Sequence, residues 1–466
     1  VQVDFLRGVA LLGILVVNMG FFLHPFGKAM DPMWLEDASP AGRAAWSIVS
    51  ALFAYKFISL FSMLFGFGVA LQMAHVAAAR RNAWGFALRR FGVLAVFGAA
   101  HGVLVWYGDI LFVYACLGLV LTAMRGLAAR TLLIVAASIA AVLVALAALG
   151  AVATVAGEAW GGAVWTQAGV EAPAAAPDVA ASGDGTSADD APPRDAPNGA
   201  LAGDALPPDA PPAGAPAAVP PGGVRGFDAM IQGSFMPASP QWMAGETAAY
   251  REGPWEDEML FRGVTWGMCV ALAFLSYGWH ALCMMLLGMW AFKVGLWRPE
   301  RQALRRRIAW ISLGAGLPLT LASVGILWLA GFEGTGAWAG YQFLHSLTAL
   351  VLPAGYAMAI GGAALLLPSI VVRVIAGAGR MALTVYLCES LLATSISYWW
   401  GLGLFGGVSG MQSLGLALGI WVVLVAASAA WLRVFRMGPM EWLWRVCTYG
   451  TLHPGAVTSR AGPPAP

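Results

Sequence analysis

The chain has 466 residues, 59% of them hydrophobic and only 11% charged, with a formal net charge of +2. A soluble domain carries about 25% charged residues, so this composition excludes an ordinary water-soluble fold. The small net charge provides no basic surface for nucleic acid and no steering of acidic substrates.

Apolar runs occur at roughly 5–24, 46–77, 86–106, 109–125, 130–156, 259–297, 307–331, 338–367, 381–400 and 413–433. Most are close to the ~20 residues that cross a bilayer as a helix. The expected fold is therefore all-α, a polytopic bundle of about ten transmembrane helices in the lipid bilayer. The first run has no small-residue cleavage pattern after it and is expected to be a retained span. The run at 259–297 is too long for one straight span at 1.5 Å per residue. One crossing is expected there, preceded by an interfacial or re-entrant piece.

Arginines fix the direction, because cytoplasmic loops hold the excess of positive charge. Arg80, Arg81, Arg89 and Arg90 separate spans two and three, and Arg125 and Arg130 separate four and five. Arg298 to Arg307 follow span six, Arg373 and Arg380 lie between eight and nine, and Arg433, Arg436 and Arg445 follow span ten. All fall on one side if both termini are cytoplasmic. This gives an N-terminal five-span half at 1–160, an extracytoplasmic loop at 161–258, a C-terminal five-span half at 259–435 and a cytoplasmic tail at 436–466. Residues 172–223 are built mostly from Ala, Pro, Asp and Gly, with no aromatic side chain, a composition expected to stay disordered. The five cysteines show no metal-type spacing, so neither zinc nor disulfides are indicated.

Ionisable residues inside spans are costly and mark candidate sites. Asp4 and Arg7 are neighbours on one helix face near the start of span one. They suit either an interfacial anchor or a site for an anionic ligand. Asn18 lies deep in the same span and His24 at its far end. Lys56 stands beside aromatics near the outer end of span two, as an interface anchor would. His101 lies five residues before Trp106, about 7–8 Å inside the interface that Trp106 is expected to mark. Asp109 opens span four, and a turn at Tyr107–Gly108 would fold it back onto span three. There it would either orient His101 as a base or cap the next helix. Gly98 and Gly102 flank the histidine and permit close helix approach. His345 falls at a similar depth. Glu389 lies about 13 Å past Arg380, near the midplane, either as a neutral acid bonded to a neighbouring helix or as a relay group. His280 stands in span six with no evident partner.

Several segments together resemble one family. They are Asp4-x-x-Arg7-Gly8 with Asn18, Lys56-Phe-x-Ser-Leu-Phe-Ser-Met-Leu-Phe-Gly-Phe-Gly68, His101-x-x-x-x-Trp-x-Gly-Asp-Ile-Leu-x-x-Tyr114, Met285-Leu-Leu-Gly-Met289, Gly379-Arg-Met-Ala-Leu-Thr384 and Gly438-Pro-Met-Glu-Trp-Leu-Trp-Arg445. The combination resembles the YeiB-like family of bacterial polytopic membrane proteins, a domain of unknown function. It departs from the family pattern at Val385, where Asn is usual, and at Glu389, where Gln is usual.

The resemblance implies a place in the bacterial inner membrane. It also implies kinship with the acyltransferase-3 and heparan glucosaminide acetyltransferase group. Members of that group move an acyl group from cytoplasmic acyl-CoA to a sugar on the other side with a histidine base. On this reading His101, oriented by Asp109, is the base, and acyl-CoA is a co-substrate rather than a tightly bound cofactor. Asp4, Arg7, Asn18, His24, Lys56, His345 and Glu389 are candidates for holding donor or acceptor, the latter a glycan or lipid. A transporter with a His101, Asp109 and Glu389 relay is the alternative, and a scaffold whose polar residues only join helices is a third.

Overall fold

The computed structural model describes residues 2–30, 39–167, 227–232 and 235–451. The segment expected to be disordered at 172–223 lies outside them, as does the end of the C-terminal tail. Among the described residues the chain is helical, with no strand. The first half holds α1 (Gln2–Leu23), α2 (Phe26–Met30), α3 (Pro40–Ile48), α4 (Lys56–Ala78), α5 (Ala83–Leu104), α6 (Leu111–Ala123) and α7 (Ala129–Gln167). Two short helices follow, α8 (Phe227–Gln232) and α9 (Pro240–Glu252). The second half holds α10 (Trp255–Leu272), α11 (Gly278–Lys293), α12 (Gln302–Leu329), α13 (Thr335–Ala363), α14 (Ser369–Arg380), α15 (Ala382–Ser397), α16 (Gly410–Val434) and α17 (Pro439–Tyr449). Val1–Val155 and Val224–Pro466 form one compact unit. Ala156–Gly223 form a second, described only through the last turns of α7.

Among the described residues eight helices are long and apolar enough to cross a membrane. The pair α14–α15, bent by 81°, takes a ninth position, and the short apolar stretch Leu111–Gly126 takes a tenth. The ten runs of the sequence are thus all helical, but three of them, and one connection, differ from expectation. The second run is interrupted by a π-helical turn at Val49–Phe53 and by Tyr55 at φ 62°, so α3 and α4 are separate pieces. The fourth, at 13 residues, is too short to cross alone. The sixth is one 39-residue helix, Trp255–Lys293, with a π-turn at Ala273–Tyr277 and no separate piece at its start. The connection between runs eight and nine contains α14 rather than a loop.

Helix α1 packs against α4, α13, α14, α15 and α16 and so occupies the middle of the bundle. Its sequence explains the fit. Gly8 lies against the backbone of Ile375, and Gly379 lies against the backbone of Asp4, so closely that neither position has room for a methyl group. Glycine here lets α1 and α14 touch main chain to main chain, the usual device where the bilayer offers no hydrophobic force between helices. Outside the spans, Glu246 of α9 is fully buried and accepts the Phe26 N–H on both carboxylate oxygens, at 3.0 and 3.2 Å. Burial pushes its carboxyl up to about 8, against the pull of the Phe26 bond. This bond ties α9 to the turn that follows α1.

Candidate active site

The last turn of α5 carries His101. Between α5 and α6 the chain runs irregularly through Trp106 and Tyr107, both buried; Trp106 stacks on Phe22 at 4.0 Å. Trp106 is therefore not the interface residue that its position suggested, and the histidine is enclosed by protein. Tyr107 donates to the Phe21 carbonyl at 2.9 Å, and burial raises its phenol well above the usual range, keeping it a donor. The segment returns Asp109 to α5. His101 Nδ1 lies 3.0 Å from Asp109 Oδ1, and Asp109 Oδ2 accepts the Phe112 N–H at 2.9 Å. Both roles considered for Asp109, orienting the imidazole and capping the next helix, are filled at once by its two oxygens. A carboxylate only accepts, so Nδ1 carries the proton. Nε2 is buried with no hydrogen-bond partner. In a neutral imidazole held this way Nε2 carries the lone pair, the form a general base needs.

Gly98, one turn before His101, makes this approach possible: a methyl group there would lie 2.7 Å from Asp109 Oδ2. The open end of α5 is closed by a buried ion pair. Arg262 donates to the Val103 and Val105 carbonyls at 2.8 and 3.2 Å and to Glu258 at 2.7 Å. Glu258 in turn accepts from Trp399 Nε1 at 2.8 Å. Orphan carbonyls at a helix end need donors, and here a guanidinium supplies them.

A cavity of about 260 Å³ opens near this pair. Arg7, Arg90, Arg380 and Arg445 line it together with Glu441, at the end of the bundle where α1 and α5 begin. Apolar side chains such as Leu11, Ile14, Phe61 and Leu94 continue the wall toward Ile110, Tyr114 and Tyr386. His101 and Asp109 are not in the wall. Tyr386 is, and its ring centre lies 5.2 Å from that of His101. Helix α17 contributes Glu441, Trp444 and Arg445 to the cavity. Glu441 accepts the Leu383 and Thr384 N–H groups at 2.7 and 3.1 Å and so caps α15 after its bend. Trp444 Nε1 donates to the Arg90 carbonyl at 2.8 Å, and the Arg90 guanidinium sits 3.7 Å from the Trp444 ring centre.

The other residues singled out in the sequence are dispersed. Asp4 and Arg7 pair at 3.2 Å, and Arg7 faces the cavity. Asn18 is half-buried without a hydrogen-bond partner among the described residues. His24 stands at the end of α1. Glu389 is buried on α15, one turn past Tyr386, and its Oε1 has no partner, so no bond to a neighbouring helix holds it there. Lys56 is not an interface anchor: it is fully buried, in a separate cluster with His345 and His280. His280 does have a partner, Ser59 Oγ at 2.7 Å.

Sequence reading passed over Tyr386, Arg262, Glu258 and the cavity roles of Arg90, Arg380 and Arg445. The four-residue spacing of Glu258 and Arg262 was a usable signal for a helix ion pair. Charge pattern alone gives the arginines only a direction.

Residues 291–451 match the family described as "Protein of unknown function (DUF418)". The chain is 26% identical over 466 residues to the Uncharacterized protein YeiB of Escherichia coli (strain K12), covering 99% of both chains. The matches support a YeiB-like family. The Uncharacterized protein YxaH of Bacillus subtilis (strain 168) is 29% identical over 470 residues, covering 97% of this chain and 94% of that protein. An "Uncharacterized 39.9 kDa protein in amylase 3'region" of Bacillus acidopullulyticus is 40% identical over 79 residues, 16% of this chain and 21% of that protein. No solved structure matches. These relatives are bacterial, and the segment that matches the family, 291–451, holds one side of the cavity, with Arg380, Tyr386, Glu441 and Arg445, but not His101 or Asp109.

Proposed function

We propose that this multi-pass membrane protein is an acyltransferase. The observation that carries the reading is the buried His101–Asp109 pair with a free Nε2, one side chain from a cavity with four arginines in its wall. The arginines suit the phosphates of an acyl donor such as acyl-CoA, and the apolar wall suits its acyl chain. His101 Nε2 takes the proton of an acceptor hydroxyl or amine as that group attacks the donor's carbonyl carbon. The C–S bond breaks, and the proton returns from His101 to the leaving thiolate. Asp109 keeps the imidazole in the required tautomer throughout. On this reading the arginine end is cytoplasmic and the acceptor, a glycan or lipid, comes from the opposite side.

The test uses purified protein and its membranes. Acetyl-CoA and longer acyl-CoAs should raise thermal stability; a hundredfold excess over Kd corresponds to about 2.7 kcal/mol. His101→Ala should lower acyl-CoA-dependent acylation of membrane acceptors by roughly 10²-fold or more per folded molecule. Asp109→Asn should impair it less. Full activity per folded molecule in His101→Ala ends the reading. One observation favours a transporter instead: the buried, unpartnered Glu389 carboxyl one turn from Tyr386. Solute uptake into proteoliposomes without any acyl-CoA stabilisation would decide for it.

A further inference from the structure

A second polar cluster lies around the break in the second run. The π-turn Val49–Phe53 ends at Ala54, which is extended, and Tyr55 is left-handed at φ 62°, ψ −19°. Non-glycine residues seldom adopt that conformation, and π-turns and such outliers gather at functional positions. The break has a definite result. Lys56, the first residue of α4, reaches back to the Ser50 carbonyl at 2.7 Å and is fully buried. An ammonium has three N–H donors. This one has a single acceptor, a neutral one, and no carboxylate among the described residues pairs with it.

The groups around Lys56 sharpen the imbalance. Ser50 Oγ bonds the Tyr341 hydroxyl at 2.6 Å, and Tyr341 stacks on His345 at 5.1 Å. The Tyr55 ring lies 5.7 Å from His345 and 6.2 Å from His280. His345 is buried with Nδ1 unpartnered. The cluster therefore holds one lysine amine, two imidazoles and three phenols, since the Tyr277 ring also stacks on His280 at 6.4 Å, and none of these groups is an acid side chain. Buried charges are otherwise paired or held by several hydrogen bonds. Tyr55 is the exception to the burial: the residue is 46% exposed while its ring lies against both histidines.

We propose that this cluster binds a singly charged oxyanion, a carboxylate or phosphodiester, on Lys56. Charge count separates it from the arginine cavity, where four guanidiniums suit a multiply charged phosphate group. A lone lysine balances one negative charge, and His345 Nδ1 supplies a neutral partner for the second oxygen. Tyr55 acts as the cover. The site does not depend on acyl transfer, since neither His101 nor the arginine cavity takes part in it.

Binding is read as melting temperature of the full chain, by fluorescence-detected size exclusion. One arm compares nanodiscs of phosphatidylcholine with nanodiscs containing phosphatidylglycerol. The other titrates sodium acetate against sodium chloride at equal ionic strength. The wild type should be stabilised by several degrees in at least one arm. A rise with phosphatidylglycerol alone assigns a lipid phosphodiester; a rise with acetate alone assigns a soluble carboxylate. Lys56→Met should abolish the rise, with its own melting point at or above that of the wild type in the absence of anion. Should Lys56→Met fail to fold, His345→Gln keeps the cation and should weaken the rise several-fold. No stabilisation of the wild type in either arm, or a rise unchanged in Lys56→Met or His345→Gln, overturns the proposal.

Discussion

The smallest change that reaches the histidine–aspartate pair is a methyl group at Gly98. Its carbon would clash hardest with the Phe112 backbone nitrogen and would lie 2.7 Å from Asp109 Oδ2 and 2.9 Å from Phe112 Cα, whereas ordinary contact begins at 3.4 Å. The first turn of α6, with the carboxylate, must retreat by at least about 0.7 Å, the difference between 3.4 and 2.7 Å. If it moves as a unit away from His101, the 3.0 Å bond stretches to about 3.7 Å, past hydrogen-bond length. Overpacking costs about 1–3 kcal/mol. Loss of a hydrogen bond to a charged group adds about 1.5–3 kcal/mol. Gly98→Ala should therefore destabilise by roughly 2.5–6 kcal/mol.

Gly92 provides the control. It lies on the same helix with nothing within 4 Å of an added methyl, so Gly92→Ala should be neutral or stabilising by up to about 1 kcal/mol. Both variants are compared by denaturant titration in one detergent. A cycle with Asp109→Asn adds a second requirement. Gly98→Ala and Asp109→Asn act on one contact, so the double change should cost clearly less than the sum of the single ones. If Gly98→Ala unfolds with Gly92→Ala, or if the two changes add fully, the tight approach of α6 to α5 is wrong and the dyad geometry falls with it.

Two further outcomes follow from the ends of the bundle. Glu246 carries a folded-state value of about 8 against a usual 4.5, so between those pH values the folded protein holds a proton that the unfolded chain has lost. Its contribution is complete below pH 4.5 and declines as pH rises toward 8, at roughly 1.4 kcal/mol per unit. Glu246→Gln keeps an acceptor for Phe26 and should flatten that decline in unfolding curves from pH 5 to 9; an identical slope in both proteins refutes the assignment. At the other end, Glu441→Ala leaves the Leu383 and Thr384 N–H groups at the start of α15 without their acceptor, a loss of about 0.5–2 kcal/mol. Hydrogen exchange over 382–386 and 439–449 should quicken while α5 is unchanged; unaltered protection at 382–386 would show that α17 does not cap α15.

What could be read from the sequence was what depends on local spacing. His101 and Asp109 stand eight residues apart, and the short irregular segment at 105–110 is enough to bring them together. The apolar runs announced the helices because a bilayer leaves the backbone few other ways to satisfy its polar groups. The break at Tyr55 gave no such notice. No proline or glycine stands at 49–55; a π-turn and a left-handed tyrosine create it, together with a lysine that takes its acceptor six residues back. Lys56 therefore read as an anchor at the membrane edge.

The arginines show the limit most clearly. Hydropathy places Arg90, Arg380 and Arg445 at one end of the bundle, and that is all it can do. An arginine facing headgroups and one facing a cavity have the same neighbours in sequence. They differ in angle around the helix and in what lies across from that face. Arg90 is positioned by Trp444, from a helix 354 residues away; the cap of α5 comes from Arg262, 159 residues from the carbonyl it serves. Both partners are recruited by the same two events, the return of α10 beside α5 and the folding of α17 beneath it. A charge that counted only toward direction becomes part of a site once those contacts form. That is why the dyad was legible before its cavity was.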